Sequence, residues 1–217
     1  MKMSGMTTKA IIGNGKSREG CDLNEFRKAG VEIWGCNALY RDFKPDYIVA
    51  MDDGMISEVL QSSFPQSKLL APRPGLQEDY EPAEYAAEYN QPRFKNNAGM
   101  LAMQFAIERW RQSDDKKGRL SLICLGFDFL KASVDALDNV YEHTPNYGPE
   151  TAATFEDSVR LTRYFNWFCR QNPDVDFIMG FADDKMPSKV HTLTANNVKG
   201  VSWSTIVNSL QQMSTAS

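Results

Sequence analysis

Histidine occurs only twice and cysteine only four times in this chain of 217 residues, and neither type clusters. Cys21, Cys36, Cys124 and Cys169 form no C-x-x-C pair, which argues against a zinc ribbon or a disulfide framework and reads as reduced, mostly buried thiols. Positive charge is not in excess either. A formal net charge of −4 argues against the broad basic footprint of a nucleic-acid binder and favours small-molecule ligands. No apolar run approaches the roughly 18 residues of a membrane span, and the opening MKMSGMTTKA has no signal-peptide core, so a cytoplasmic protein is expected. Internal repeats and low-complexity tracts are absent, and nothing in the composition decides between a monomer and a homo-oligomer.

What is present is an ordinary globular composition, 42% apolar and 11% aromatic, in a length suited to one domain. Short apolar runs alternate with segments of helical period, the pattern of βαβ units around a mainly parallel twisted sheet flanked by helices. KAIIG, VEIWGCN, PDYIVAMD, SKLLAP, RLSLICLGFDF and VDFIMGF read as strands. LNEFRKAG, DGMISEVLQSSF, the segment from Asn97, and TAATFEDSVRLTRYFNWFCRQ read as helices. Met100, Met103, Ile107 and Trp110 fall on one face of the third helix; Phe155, Val159, Thr162, Phe165 and Cys169 share a face of the fourth. Residues 72–95, with four prolines and four aromatics, form an irregular flap, either a surface excursion or a cover over a pocket. Residues 185–217 close the domain with a short strand or turn and a helix.

The stretch AIIGNGKSREG, residues 10–20, contains Lys16-Ser17 behind two glycines and so invites comparison with a P-loop. A Walker A loop requires its first small residue at Ala10, which would waste Ile11 and Ile12 in a turn that wants small or polar residues. The strand ends at Gly13 instead, leaving GNGKS, too short to wrap a β-phosphate. A dinucleotide fingerprint fails as well: its third glycine would fall at Arg18, and Asn37 stands where an acidic residue should end the second strand. A βα turn remains, whose glycines admit a ligand to the backbone and whose N–H groups face an anion or a base edge.

In an open parallel sheet, ligands bind beyond the carboxyl ends of the strands. Residues just past the strands are Gly13, Asn14 and Gly15, then Asn37, then Asp52 and Asp53, then Asp128, with Asn97 and Gly99 opening a helix nearby. Each Asn or Asp alone reads equally well as a turn or helix cap; together they outline a ligand cleft.

The order IIGNGKS, WGCNALYRDFKPDYIVAMD, NNAGMLAMQFAI, ICLGFDF resembles the Rossmann-like group that includes the family-42 bacterial sialyltransferases and the 6-hydroxymethylpterin diphosphokinase MptE-like proteins. The resemblance spans most of residues 9–130. It implies a nucleotide site at Gly13, Asn14, Gly15, Lys16, Ser17, Asn37, Asn97, Gly99 and Asp128, holding the CMP portion of a CMP-sugar donor, and a glycosyl transfer that requires no metal. The MptE-like side of the group implies an alternative, an ATP- and Mg²⁺-dependent pyrophosphokinase with Asp52 or Asp53 at the metal.

The chain departs from the group at Lys16, where a proline is usual, at Ala98-Gly99 in place of Ser-Gly, and at Leu130 in place of a tyrosine. The general-base histidine expected around NYGPETAA is missing, and these losses suit a noncatalytic binding or assembly protein on the same fold. His143, a few residues earlier in VYEHTPNYG, is the candidate base for deprotonating an acceptor hydroxyl, imidazole being the side chain most often used for that role. Tyr141 and Tyr147 flank it as phenol donors to a departing phosphate or as ordinary packing residues. His191 reads as structural or exposed.

Overall fold

Alternate residues of each strand face opposite sides of the sheet, and here both sides are apolar. Ala10, Ile12, Ile33, Ile48, Ile123, Leu125 and Ile178 line one core, whereas Ile11, Trp34, Val49, Leu122, Cys124, Phe177 and Met179 line the other. A strand buried on both faces cannot sit at a wetted surface, so helices must cover both sides, which is the parallel α/β solution. The structure, a computed structural model, describes residues 6–72, 97–113, 118–130, 139–148, 154–187 and 193–215.

The strands are β1 (Thr7–Ile12), β2 (Glu32–Cys36), β3 (Tyr47–Val49), β4 (Leu69–Leu70), β5 (Leu120–Leu125), β6 (Val175–Phe181) and β7 (Val198–Ser202). They form one sheet in the order β4-β3-β2-β1-β5-β6-β7, and every pairing is parallel. The fold is α/β and Rossmann-like, as the alternating pattern predicts, with an all-parallel sheet rather than a mainly parallel one. Helices α1 (Asn24–Lys28) and α5 (Trp203–Ser214) cover one face through Phe26, Ile206 and Leu210. Helices α3 (Ala98–Gln112) and α4 (Phe155–Gln171) cover the other, while α2 (Asp53–Gln61) follows β3. Among the described residues no helix is long and apolar enough to cross a membrane.

The apolar stripe read for α3 is buried as expected: Met100, Met103, Ile107 and Trp110 are at most 1% exposed. For α4 the reading needs correction. Thr162, Phe165 and Cys169 are buried, but Phe155 and Val159 remain 47% and 38% exposed. In its early turns this helix meets the sheet end through hydroxyls, Ser158 and Thr162 both donating to the Phe129 carbonyl at 2.7 and 3.2 Å. A capping box between Thr154 and Asp157 starts the helix, satisfying N–H groups that the first turn leaves unpaired.

The thiols conform to the mostly buried reading. Cys36, Cys124 and Cys169 are buried and free, Cys21 is partly exposed, and burial pushes Cys21 and Cys36 up to about 12, far from the range of a reactive thiolate. The 72–95 segment, apart from Pro72, lies outside the described residues, as does His191.

Aromatic packing dominates the α4 side of the core. Phe177 of β6 is 1% exposed and lies edge-on to Phe165 at 5.8 Å and close to edge-on to Phe168 at 5.9 Å. Replacing Phe177 by Ala is expected to cost about 3–5 kcal/mol through lost burial and the cavity left behind; equilibrium urea unfolding of the two proteins measures it.

Candidate functional site at the sheet switch point

From β1 the chain runs outward through β2, β3 and β4, and then returns so that β5 pairs with the opposite edge of β1. The direction of winding therefore reverses between β1 and β5, and the crevice at their carboxyl ends is where such sheets bind ligands. The strands stay in register from Thr7 opposite Leu120 to Ile12 opposite Leu125. The pairing then extends past both strands, with the Gly13 N–H donating to Leu125 O at 2.8 Å and the Gly15 N–H to Gly126 O at 3.0 Å.

This contact explains the glycines of GNG. A Cβ on Gly13 would lie 2.7 Å from Gly126 O, and one on Gly15 would lie 2.4 Å from the Asp128 carboxyl carbon. Gly126 itself has φ +73°, left-handed backbone that glycine adopts without strain. The space read from sequence as room for a ligand is filled by the neighbouring strand end.

The loop's donors are equally committed. Besides Gly13 and Gly15, the Ser17 N–H donates to Asp128 Oδ2 at 3.2 Å and the Arg18 N–H to Gly15 O at 3.2 Å. The Asp128 carboxylate thus stands at the start of the turn Lys16–Arg18, where a bound phosphate would sit in a phosphate-binding loop. Lys16 pairs with Glu142 at 2.9 Å on the surface, so its resemblance to a P-loop lysine ends with the sequence.

Asn14 and Asn37 do converge. The Asn14 side-chain amide donates to the Tyr147 hydroxyl at 2.9 Å, and the Asn37 side chain and Ala38 N–H bond the same oxygen. Burial pushes the Tyr147 phenol up to about 12, against these hydrogen bonds. Asn37 has φ +50°, a conformation that asparagine tolerates better than most residues. The buried side-chain oxygens of Asn14, Asn37 and Ser17 find no partner among the described residues. Orphaned buried acceptors cost about 1–3 kcal/mol each, so their accumulation at one strand edge is unusual for a purely structural region.

Residues 139–148 lie over this edge. The Val140 N–H donates to Asn14 O at 2.8 Å, and Asn139 bridges to Gly15. Tyr141 and Tyr147 turn inward against Ala38, Ala50 and Met55, with the Tyr141 hydroxyl donating to Asp42 Oδ1 at 2.6 Å. Both tyrosines are less than 8% exposed, Tyr141 at 7% and Tyr147 at 6%. His143 is exposed and stands at φ +65° on the outer side of the segment. Arg41 fastens the segment: it donates to Thr144 Oγ1 at 2.7 Å and Pro145 O at 2.9 Å while pairing with Glu58 at 2.6 Å. Asn146 donates to the same Glu58 at 2.7 Å.

The remaining sequence candidates have visible structural work. The Asn97 side chain caps α3, accepting from the Met100 N–H at 2.8 Å, and a Cβ at Gly99 would lie 2.7 Å from the Phe127 ring. Asp52 is the residue preceding α2 and Asp53 its first residue; both are exposed, and among the described residues no three acidic, histidine or cysteine side chains gather as a metal site.

Arg18 was not among the residues singled out from sequence, yet it is 9% exposed and occupies the crevice. Its side chain folds back to donate from Nε to Gly13 O at 2.9 Å and from Nη2 to the Tyr141 hydroxyl at 3.1 Å. The available signal was its place in G-x-G-x-x-R, at the third-glycine position of a fingerprint.

The Arg41 guanidinium, aided by Tyr40 and Asn146, holds the Glu58 carboxyl down to about 2 from an ordinary 4.5. A depressed carboxyl pKa adds stability above the unfolded value and loses it as pH falls toward the folded one. The stability gap between wild type and Glu58→Gln is therefore expected to be full near neutrality and to close between about pH 4.5 and 2; urea midpoints across that range measure it.

No protein-family model and no curated protein matches the sequence. Among solved structures, the chain is similar to a crystal structure of UDP-glucose 4-epimerase at 12% identity, covering 81% of this chain and 51% of that one, with a TM-score of 0.31.

Proposed function

We propose that this protein binds a nucleotide in the β1/β5 crevice and acts as a nucleotide-dependent transferase, with a CMP-sugar as donor. The observation carrying this reading is the set of buried, unpartnered side-chain oxygens on Asn14, Asn37 and Ser17 at the switch point. Such oxygens accept from donors that a nucleoside supplies, ribose hydroxyls and exocyclic base amines. The commitment of the GNG loop's N–H groups favours reading that end of the crevice as a nucleoside site rather than a triphosphate cradle.

In this scheme Asn14 and Asn37 hold the nucleoside, and Asp128 acts through the loop it braces. His143, on the exposed side of the covering segment, meets an acceptor hydroxyl arriving from solvent and takes its proton as the bond from the hydroxyl oxygen to the sugar forms and the CMP phosphate leaves. Glycosyl transfer of this kind places no metal at Asp52 and Asp53.

A ligand that binds only the folded state stabilises it by mass action, about 2.7 kcal/mol at a hundred times its Kd. For a chain of this size that corresponds to a rise in Tm of roughly 5–10 °C. Thermal-shift measurements with CMP, CMP-sugar, ATP and GTP are expected to show such a rise for the cytidine nucleotides; no shift with any of them would overturn the reading. His143→Ala should retain the CMP shift and lose transfer, and ATP-dependent activity that stops on chelation would instead favour pyrophosphoryl transfer.

A further inference from the structure

Arg18 raises a problem of charge. Its guanidinium belongs to a residue 9% exposed, and its hydrogen bonds go to two neutral oxygens, Gly13 O and the Tyr141 hydroxyl. Among the described residues no carboxylate lies within ion-pair distance of it. Burying a cation without a direct counter-charge is costly. Here the compensation is indirect: the Tyr141 hydroxyl accepts from Arg18 and donates to Asp42 at 2.6 Å, so a neutral phenol separates the two charges.

The position is informative as well. In a dinucleotide-binding loop the third glycine lets the helix pack closely on its strand, and the helix N–H groups meet the pyrophosphate. In this chain those N–H groups are taken by Asp128, Gly15 and the β5 end, and a guanidinium comes from the third-glycine position. Nε and Nη2 fix its plane, and among the described residues Nη1 meets no hydrogen-bond partner. A fixed planar donor with an unused nitrogen is well suited to a phosphate oxygen, and a phosphate is a stronger acceptor than a phenol.

We infer that Arg18 is the anion-binding residue of the crevice, taking a phosphate group of the ligand in place of, or beside, the Tyr141 hydroxyl. This rests on the nucleotide reading for the identity of the whole ligand, but not for the anion contact itself. Lys16, tied to Glu142 at the surface, is not required.

Two sets of measurements separate the possibilities. The full chain is titrated with inorganic pyrophosphate against sodium chloride at matched ionic strength, and separately with cytidine and CMP, in wild type, Arg18→Gln, Arg18→Lys and Tyr141→Phe. Wild type is expected to bind pyrophosphate, and to bind CMP more tightly than cytidine. Arg18→Gln should weaken both anions about 10- to 100-fold, the scale of one charged hydrogen bond, while leaving cytidine unchanged. Arg18→Lys should keep part of the affinity, and Tyr141→Phe should strengthen pyrophosphate binding by releasing Nη2. If Arg18→Gln does not fold, the opposite shifts of the other two variants decide the matter. CMP and pyrophosphate affinities unchanged in Arg18→Gln, or in both Arg18→Lys and Tyr141→Phe, would overturn the inference while leaving nucleotide binding intact. Arg18-dependent pyrophosphate binding without cytidine or CMP binding would uphold it and end the nucleotide reading. Wild type that does not distinguish pyrophosphate from chloride would overturn it directly.

Discussion

The contact on which the rest depends is the extension of the β1–β5 pairing beyond both strands. Two backbone hydrogen bonds, Gly13 to Leu125 and Gly15 to Gly126, hold the strand ends together at the one place where the winding of the sheet reverses. They require an approach that a Cβ at Gly13, Gly15 or Gly126 would block at 2.4–2.7 Å. With the two ends sealed, Asp128 reaches the Ser17 N–H and the turn that carries Arg18 is set. The same closure buries Asp128 at 5% exposure.

That arrangement redistributes charge in the crevice. An internal carboxylate takes the backbone donors of the turn, and the positive charge moves to a side chain, Arg18, held in place by the carbonyl it crosses and by Tyr141. The covering segment 139–148 then completes two sets of bonds. Tyr147 serves the amides on the β1 and β2 ends, and Tyr141 links Arg18 to Asp42. Arg41 and Glu58 hold the segment from outside the crevice. The exposed ion pairs elsewhere, such as Arg119 with Asp176, contribute little by comparison, because water screens them and side-chain entropy opposes them.

Much of the fold was legible because burial on both faces leaves a simple signature. Strands such as LSLICL and VDFIMGF are apolar throughout, and a continuous apolar run of that length between helical segments has few other uses. The stripe of α3 was legible for the same reason. Helical period puts Phe155 and Val159 on the buried face of α4 because it assumes that apolar residues face the sheet, whereas Ser158 and Thr162 meet a strand-end carbonyl there. Of the site, Asn14, Asn37 and Asp128 could be picked out by their place after strands. Asn97 and Gly99 could be picked out too, and capping and packing account for both.

Period and composition are local properties of the chain, and they suffice for the succession of strands and helices, the two-sided burial of the sheet, and therefore the edge at which polar residues collect. Folding adds what the glycines are for, that Asp128 takes the donors a phosphate would use, that Tyr141 and Tyr147 turn inward while His143 stays outside, and that Arg18 enters the crevice. Each of these depends on a contact between residues far apart in the chain, such as Asn14 with Tyr147, 133 positions away. No local pattern encodes the meeting of two strand ends that the winding of the sheet brings together.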